Sequence, residues 1–317
     1  MTYMYYPFFR GKQFELIVIR DMAAMLSENN MTPIVEPVRE NLAGLKKALD
    51  AVVERKGKSI VVINPKVGDF QHDSSPIVDF FQKEYSGADG ISVGIVLDNE
   101  MSAKVALKYL NEYQNLKPIL IHNGFMYPKE VAESLGSNLE RTVNIFIDNN
   151  EGMLYRRHFK DSVRVLIKDG FESMRNADYG LIDRFSELHL TYKDINVDGF
   201  GDFLTVGNSY SETGGPAYAV AIHLTFINSE QDDVMFVYHF VSDDKNSPTD
   251  PAGKFAQALS KLIKLLDSGS SMLYETEAIR EFRELHDRGH FPGLGVVKKL
   301  SMMHHIETLA IYQKNHG

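Results

Sequence analysis

The 317-residue chain is 44% hydrophobic and 24% charged, an ordinary globular composition. Its net charge of −9 disfavours a general binder of nucleic acid or anionic membrane, and the lack of cysteine excludes disulfides, thiolate metal ligands and a Cys nucleophile. No apolar run approaches the roughly 18 residues needed to span a bilayer, and the first ten residues lack the basic and apolar regions of a signal peptide, so a cytoplasmic protein is expected.

Taken in order, the chain alternates short apolar runs with amphipathic stretches. A first strand is expected over Tyr3–Phe9, ending at Arg10-Gly11-Lys12. Residues 13–26 place Phe14, Ile17, Val18, Met22 and Met25 at helical spacing. A second strand, Pro33–Glu36, precedes a helix over 41–55 with Leu42, Leu45, Leu49, Val52 and Val53 on one face. The third strand, Ser59–Asn64, is closed by Pro65, and a third helix is expected over 75–85 with Pro76 in its first turn.

Four further runs follow between Gly90 and Asp169, rich in Ile and Val as strands buried on both faces should be. They end at Asp98, His122, Asp148 and Lys168-Asp169. Helices are expected over 101–113 and 128–135. This alternation signals βα units and a parallel sheet. Residues 182–192 read as a helix, leaving Gly199–Gly207 as the best eighth strand.

The pattern then changes. Residues 218–226 and 234–241 alternate about a turn at 228–233, which predicts an antiparallel hairpin. With the turn centred near Gln231, His223 and His239 lie opposite each other. A helix from Pro251 to Leu266 would supply the eighth barrel helix, and two more are expected over 275–288 and 295–314. The predicted architecture is a single (β/α)8 TIM-like barrel with a hairpin after strand 8. Its barrel domain spans 1–268, with the hairpin at 217–242, and a C-terminal helical extension, 269–317, packs on it.

Strand ends on the carboxyl side of such a sheet are where α/β proteins build sites. They present Arg10, Glu36, Asn64, Asp98, His122, Asp148, Lys168, Asp169 and Asp202. Glu36, Asp98, His122, Asp148 and Asp169 are candidate catalytic acids, bases or ligands. Glu36, Asp98 and Asp148 could hold Mg2+, Mn2+ or Zn2+, although no local metal motif is present. Arg10, Lys12 and Lys168 are candidate phosphate clamps. The loop 207–216 offers Ser209, Ser211, Gly214 and Gly215, whose hydroxyls and backbone N–H groups could cradle an anion. It matches no dinucleotide or Walker pattern, so no nucleotide cofactor is indicated. His223 and His239 are a candidate substrate-binding or acid–base pair, whereas His304-His305 reads as structural with one imidazole inward.

These residues point first to an enzyme that hydrolyses a phosphate-bearing or nucleotide-like small molecule. The alternative is a non-catalytic subunit that binds a ligand or a protein partner.

The stretch Met4-Tyr-Tyr-Pro-Phe-Phe-Arg-Gly-Lys-Gln-Phe-Glu15, with Pro33-Ile-Val-Glu-Pro37, resembles the phage and bacterial "beta family" proteins and a related bacterial family with a locus-derived name. The runs Gly199-Phe-Gly-Asp-Phe, Ser211-Glu-Thr-Gly-Gly-Pro-Ala-Tyr-Ala-Val-Ala-Ile-His223 and His239-Phe fit that group too, so the resemblance spans most of the chain. It implies a barrel-like α/β fold and a setting in bacterial or mobile-element neighbourhoods, such as phage-defence systems, where a neighbouring gene supplies a partner. It brings no activity with it.

Overall fold

The computed structural model describes residues 4–148, 152–212, 215 and 217–316. The chain divides into two compact units, Met1–Lys168 with Thr191–Asp202, and Asp169–Leu190 with Phe203–Gly317. In chain order the strands are β1 (Phe8–Phe9), β2 (Ile34–Val35), β3 (Ser59–Val62), β4 (Ile91–Asp98), β5 (Ile119–Asn123), β6 (Val143–Ile147), β7 (Val163–Ile167), β8 (Ile182–Ser186), β9 (Gly199–Gly201), β10 (Ala221–Asn228) and β11 (Val234–Val241).

The first unit is a (β/α)8 barrel. Its strands run β1-β2-β3-β4-β5-β6-β7-β9, all parallel. The sheet closes on itself, because Tyr6 N–H donates to Phe200 O at 2.8 Å and Phe8 N–H to Asp202 O at 2.9 Å. The apolar runs are strands because both faces are covered, and every residue of β3 is buried. Helices alternate with them. The one at Ala43–Glu54 buries Leu45, Ala48, Leu49 and Val52, a single stripe at i, i+3, i+4 and i+7. The one at Ala103–Tyr113 starts where Ser102 Oγ accepts the Val105 N–H at 3.3 Å.

The closing seam explains the Gly-Phe-Gly run. A Cβ at Gly201 would lie 2.1 Å from Tyr6 O, and one at Gly199 would lie 3.0 Å from Met4 O, so a side chain here would push the last strand off the first. The strand stops sooner than the sequence suggests. Past Gly201 the chain enters a tight turn at Leu204–Val206, with Leu204 at φ 51°.

The second unit is built on a three-stranded antiparallel sheet ordered β10-β11-β8. The hairpin has the expected register, with His223 opposite His239. Asn228 O takes N–H groups from Gln231 and Asp233, and Asp232 and Asp233 both adopt positive φ, which Asp tolerates better than most residues. Two expectations are corrected. Residues 182–186 are the edge strand β8, paired with β11, and only Leu188–Thr191 of that stretch is helical. The helix at Pro251–Asp267 is not a barrel helix. Its Phe255, Ala258, Leu259 and Leu262 join Ile222, Leu224 and Phe226 of β10 in one core. The helices at Glu277–Asp287 and Leu294–His316 belong to the same unit. The division falls at 168/169, 190/191 and 202/203.

His304 and His305 are both buried, where one was expected inward. His304 bonds Thr276 Oγ1 at 2.8 Å and Thr225 O at 2.9 Å, and His305 bonds Thr225 Oγ1 at 3.0 Å. They are structural, tying the long helix to the sheet. No helix among the described residues is long and apolar enough to cross a membrane.

Candidate functional site

The carboxyl ends of β1 to β4 carry charges of alternating sign. Arg10 follows β1, Glu36 follows β2, Lys66 lies just beyond β3 and Asp98 ends β4. Arg10 Nη1 pairs with Glu36 Oε2. Glu36 Oε1 accepts the Lys66 backbone N–H at 2.7 Å. Lys66 Nζ lies 2.8 Å from Asp98 Oδ2, and Asp98 Oδ1 accepts the Glu100 N–H at 3.1 Å. Glu36 is only 1% exposed, and Arg10 and the Lys66 amide satisfy both of its carboxylate oxygens. Lys66, whose side chain is 33% exposed, is the open end of the ladder.

Lys66 and Asp98 border a groove of about 520 Å³, shared with Gln71, His72, Tyr109 and Asn123. Its lining offers a cation (Lys66), two carboxylates (Asp98 and Glu100), an imidazole (His72) and three amides (Gln71, Asn99 and Asn123) within one cleft at the carboxyl end of the barrel strands.

The other predicted residues fall outside this cluster. Asn64 uses both ends of its amide on one residue: its Nδ2 donates to Val96 O and its Oδ1 accepts from Val96 N, each at 2.8 Å. It locks β3 to β4. His122 is fully buried, with Nδ1 2.7 Å from Tyr155 Oη and Nε2 3.0 Å from Asn144 Oδ1, and it stacks on Phe146 at 4.8 Å. Burial pushes its pKa down to about 4. It is a neutral core residue with both nitrogens engaged. Asp202 accepts the Tyr5 hydroxyl at 2.7 Å, inside the closing seam. Lys12 precedes the helix Gln13–Asp21 and is half-buried. Lys168 is exposed, and its N–H bonds Gly201 O at 3.0 Å. Asp148 is half-buried just past β6, with its N–H on Ile167 O at 2.7 Å.

Glu36, Asp98 and Asp148 do not assemble into a metal centre: among the described residues no three His, Asp or Glu side chains are grouped to hold an ion. Two of the three carboxylates already hold Arg10 and Lys66.

In the second unit Asp169 braces a loop, its Oδ1 taking Phe171 N–H at 3.1 Å and its Oδ2 taking Asn208 N–H at 2.7 Å. Ser209, Ser211 and Gly215 are exposed, and Gly214 lies outside the described residues. His223 and His239 do come together, Nδ1 to Nδ1 at 2.7 Å. Asp183 Oδ2 of β8 lies 3.1 Å from His239 Nε2, at ion-pair distance though without hydrogen-bond alignment.

Sequence reading missed Lys66, Gln71, His72 and Asn123, because it stopped at the first polar residue after each apolar run. Extending each strand end by two or three positions reaches Lys66 and Asn123. Gln71 and His72 lie deeper in the β3–α loop and carried no signal.

No family model matches the chain, and no curated protein is similar to it. Among solved structures, the enoyl reductase domain of MlnA from the macrolactin biosynthesis cluster of Bacillus amyloliquefaciens aligns at 7% identity and a TM-score of 0.28, over 99% of this chain and 82% of that one. At that score the likeness carries no argument about chemistry.

Proposed function

We propose that the barrel is an enzyme that takes a phosphate-bearing small molecule into the groove beside Lys66 and Asp98 and hydrolyses it. The observation that carries this reading is the Lys66–Asp98 pair, the open end of an otherwise closed ladder of charges, facing a polar groove at the carboxyl end of the strands. Lys66 would neutralise the phosphate, and Asp98, displaced from it, would accept the proton of the attacking water. His72, which lines the same groove, would protonate the leaving oxygen. The test is a panel of phosphomonoesters and phosphodiesters, read by thermal shift and by phosphate release, with and without Mg2+, Mn2+ and Zn2+. The expected result is turnover of at least one compound, loss of turnover with an unchanged melt in Asp98→Asn, and a raised KM in Lys66→Gln. Turnover by Asp98→Asn at the native rate would remove Asp98 from the mechanism. A panel with no thermal shift and no release would remove the hydrolase reading.

A second reading, a non-catalytic subunit that binds a partner, rests on apolar exposure. Met126 and Tyr127 follow β5, Met153 and Leu154 follow β6, and Met126, Met153 and Leu154 are each 70% or more exposed. With it goes the resemblance to proteins of phage-defence neighbourhoods. Co-purification with the neighbouring gene product, lost in Met153→Asp with Leu154→Asp, would favour it.

A further inference from the structure

The second unit contains a cavity that the reading above does not use. It has a volume of about 240 Å³, and its lining includes His223, Thr205, Ser301, Ser173, Lys298 and Phe171. Drug-sized ligands occupy roughly 300–1,000 Å³, so the space suits a compact metabolite.

The imidazole pair sets the chemistry of this space. Two Nδ1 atoms 2.7 Å apart require a proton on one and a lone pair on the other. Asp183 decides which, because a carboxylate 3.1 Å from His239 Nε2 favours a proton on that nitrogen. Neutral His239 then presents a bare Nδ1, and His223 must supply the proton from its own Nδ1. The remaining nitrogen of His223, Nε2, is left as a lone pair, and no group among the described residues bonds to it. His223 is neutral at ordinary pH. Burial first, then unfavourable electrostatics with His239 and Lys298, hold its pKa at about 3.

Two independent features point to a ligand. Thr205, 4% exposed, lines the same cavity, and its buried hydroxyl has no hydrogen-bond partner among the described residues. A buried hydroxyl without a partner costs about 1–3 kcal/mol, so the site is incomplete as it stands. Lys298, exposed at the rim, forms no ion pair among the described residues and offers its ammonium to an anion.

We propose that this cavity is a second binding site, for a small oxyanion that also carries a hydroxyl, with Lys298 on the anion, the ligand hydroxyl donating to His223 Nε2, and Thr205 completing the contacts. Asp183 and His239 act as positioning residues that fix the His223 tautomer. The site rests on residues of the second unit alone and does not depend on the groove at Lys66.

The test uses the full chain. In protein labelled with 15N-histidine, His223 is expected to show a protonated Nδ1 and a bare Nε2, and His239 the reverse. Calorimetry with glycolate against acetate, and with glycerol phosphate against propyl phosphate, separates carboxylate from phosphate and isolates the hydroxyl. One hydroxylated ligand should bind at least tenfold more tightly than its partner without the hydroxyl, and Thr205→Val and Lys298→Gln should each weaken it at least fivefold. The His223 Nε2 resonance should move on binding. A protonated Nε2 on His223, no binding by either hydroxylated probe, or equal binding with and without the hydroxyl would each overturn the proposal. Asp98→Asn should leave all of these readings unchanged, which keeps this test separate from that of the barrel groove.

Discussion

The barrel rim and the imidazole cavity both gather polar side chains, but they differ in what those side chains have left to offer. At the rim, Arg10, Glu36, Lys66 and Asp98 neutralise one another along four adjacent strand ends, and of the four Lys66 is the most open to solvent. In the cavity fewer charges are present, yet His223 Nε2 and the Thr205 hydroxyl have bonding capacity that the protein does not fill. Counting ionisable residues favours the rim. Counting unfilled hydrogen-bond capacity favours the cavity. The second count tracks ligand binding more directly, because a satisfied buried charge is already at its minimum and a stranded hydroxyl is not.

Acid separates the two regions by the largest effect. His122 in the barrel and His304 and His223 in the second unit have pKa values lowered to about 4, 4 and 3. An unfolded His, with a pKa near 6.5, takes up a proton that the folded one refuses. The unfolded state therefore binds more protons below pH 6.5, and stability should fall as the pH drops from there towards 4, by about 1.4 kcal/mol per pH unit for each imidazole. Denaturant melts at pH 7, 6 and 5 should show this slope. A saturating oxyanion that engages His223 should counter part of the loss in the second unit and leave the barrel unaided.

Next comes Glu36→Gln. It leaves Arg10, whose side chain is 15% exposed, beside a neutral amide, and should cost about 3–5 kcal/mol by equilibrium unfolding, as expected for a broken buried pair. A cost under about 1 kcal/mol would mean that the ladder is not the closed system described. Lys66→Ala removes a partly exposed partner of Asp98, and about 1 kcal/mol or less is expected once solvent screening is allowed for. Its larger effect should be on phosphate-ester affinity. Thr205→Val is the smallest and the most telling. With no hydrogen bond to lose, it should be neutral or stabilising by up to about 1 kcal/mol in the free protein. A loss of more than about 1 kcal/mol would show that the hydroxyl already has a partner and would dissolve the contrast between the two regions.

Most of the barrel was legible because its strands are buried on both faces and read as continuous apolar runs between amphipathic helices. The hairpin was legible for a different reason, a strict alternation about a turn whose centre fixed His223 opposite His239. The strand β8 was not. Leu181, Phe185, Leu188 and Tyr192 fall at helical spacing, and as an edge strand β8 leaves Ile182 44% exposed, which blurs the alternation that marks a strand. Losing β8 also hid Asp183, which sets the tautomers of the pair. Thr205 was hidden inside a run that reads as strand but turns at Leu204. At the rim, the types of residue were visible and their pairing was not, since spacing along the chain does not say which strand end faces which cation.

The chain passes between the two units three times, at 168/169, 190/191 and 202/203. A ribosome therefore delivers β8 before the barrel's closing strand β9, yet β8 has no hydrogen-bonding neighbour until β11 emerges. Over that interval the nascent protein carries an open strand edge while its barrel can already close, a template for mispairing with another chain. For the same reason no single cut in the gene releases either unit whole. Premature stops between Asp202 and Val234 should yield aggregates rather than a free barrel, and a functional split of this protein needs two breakpoints.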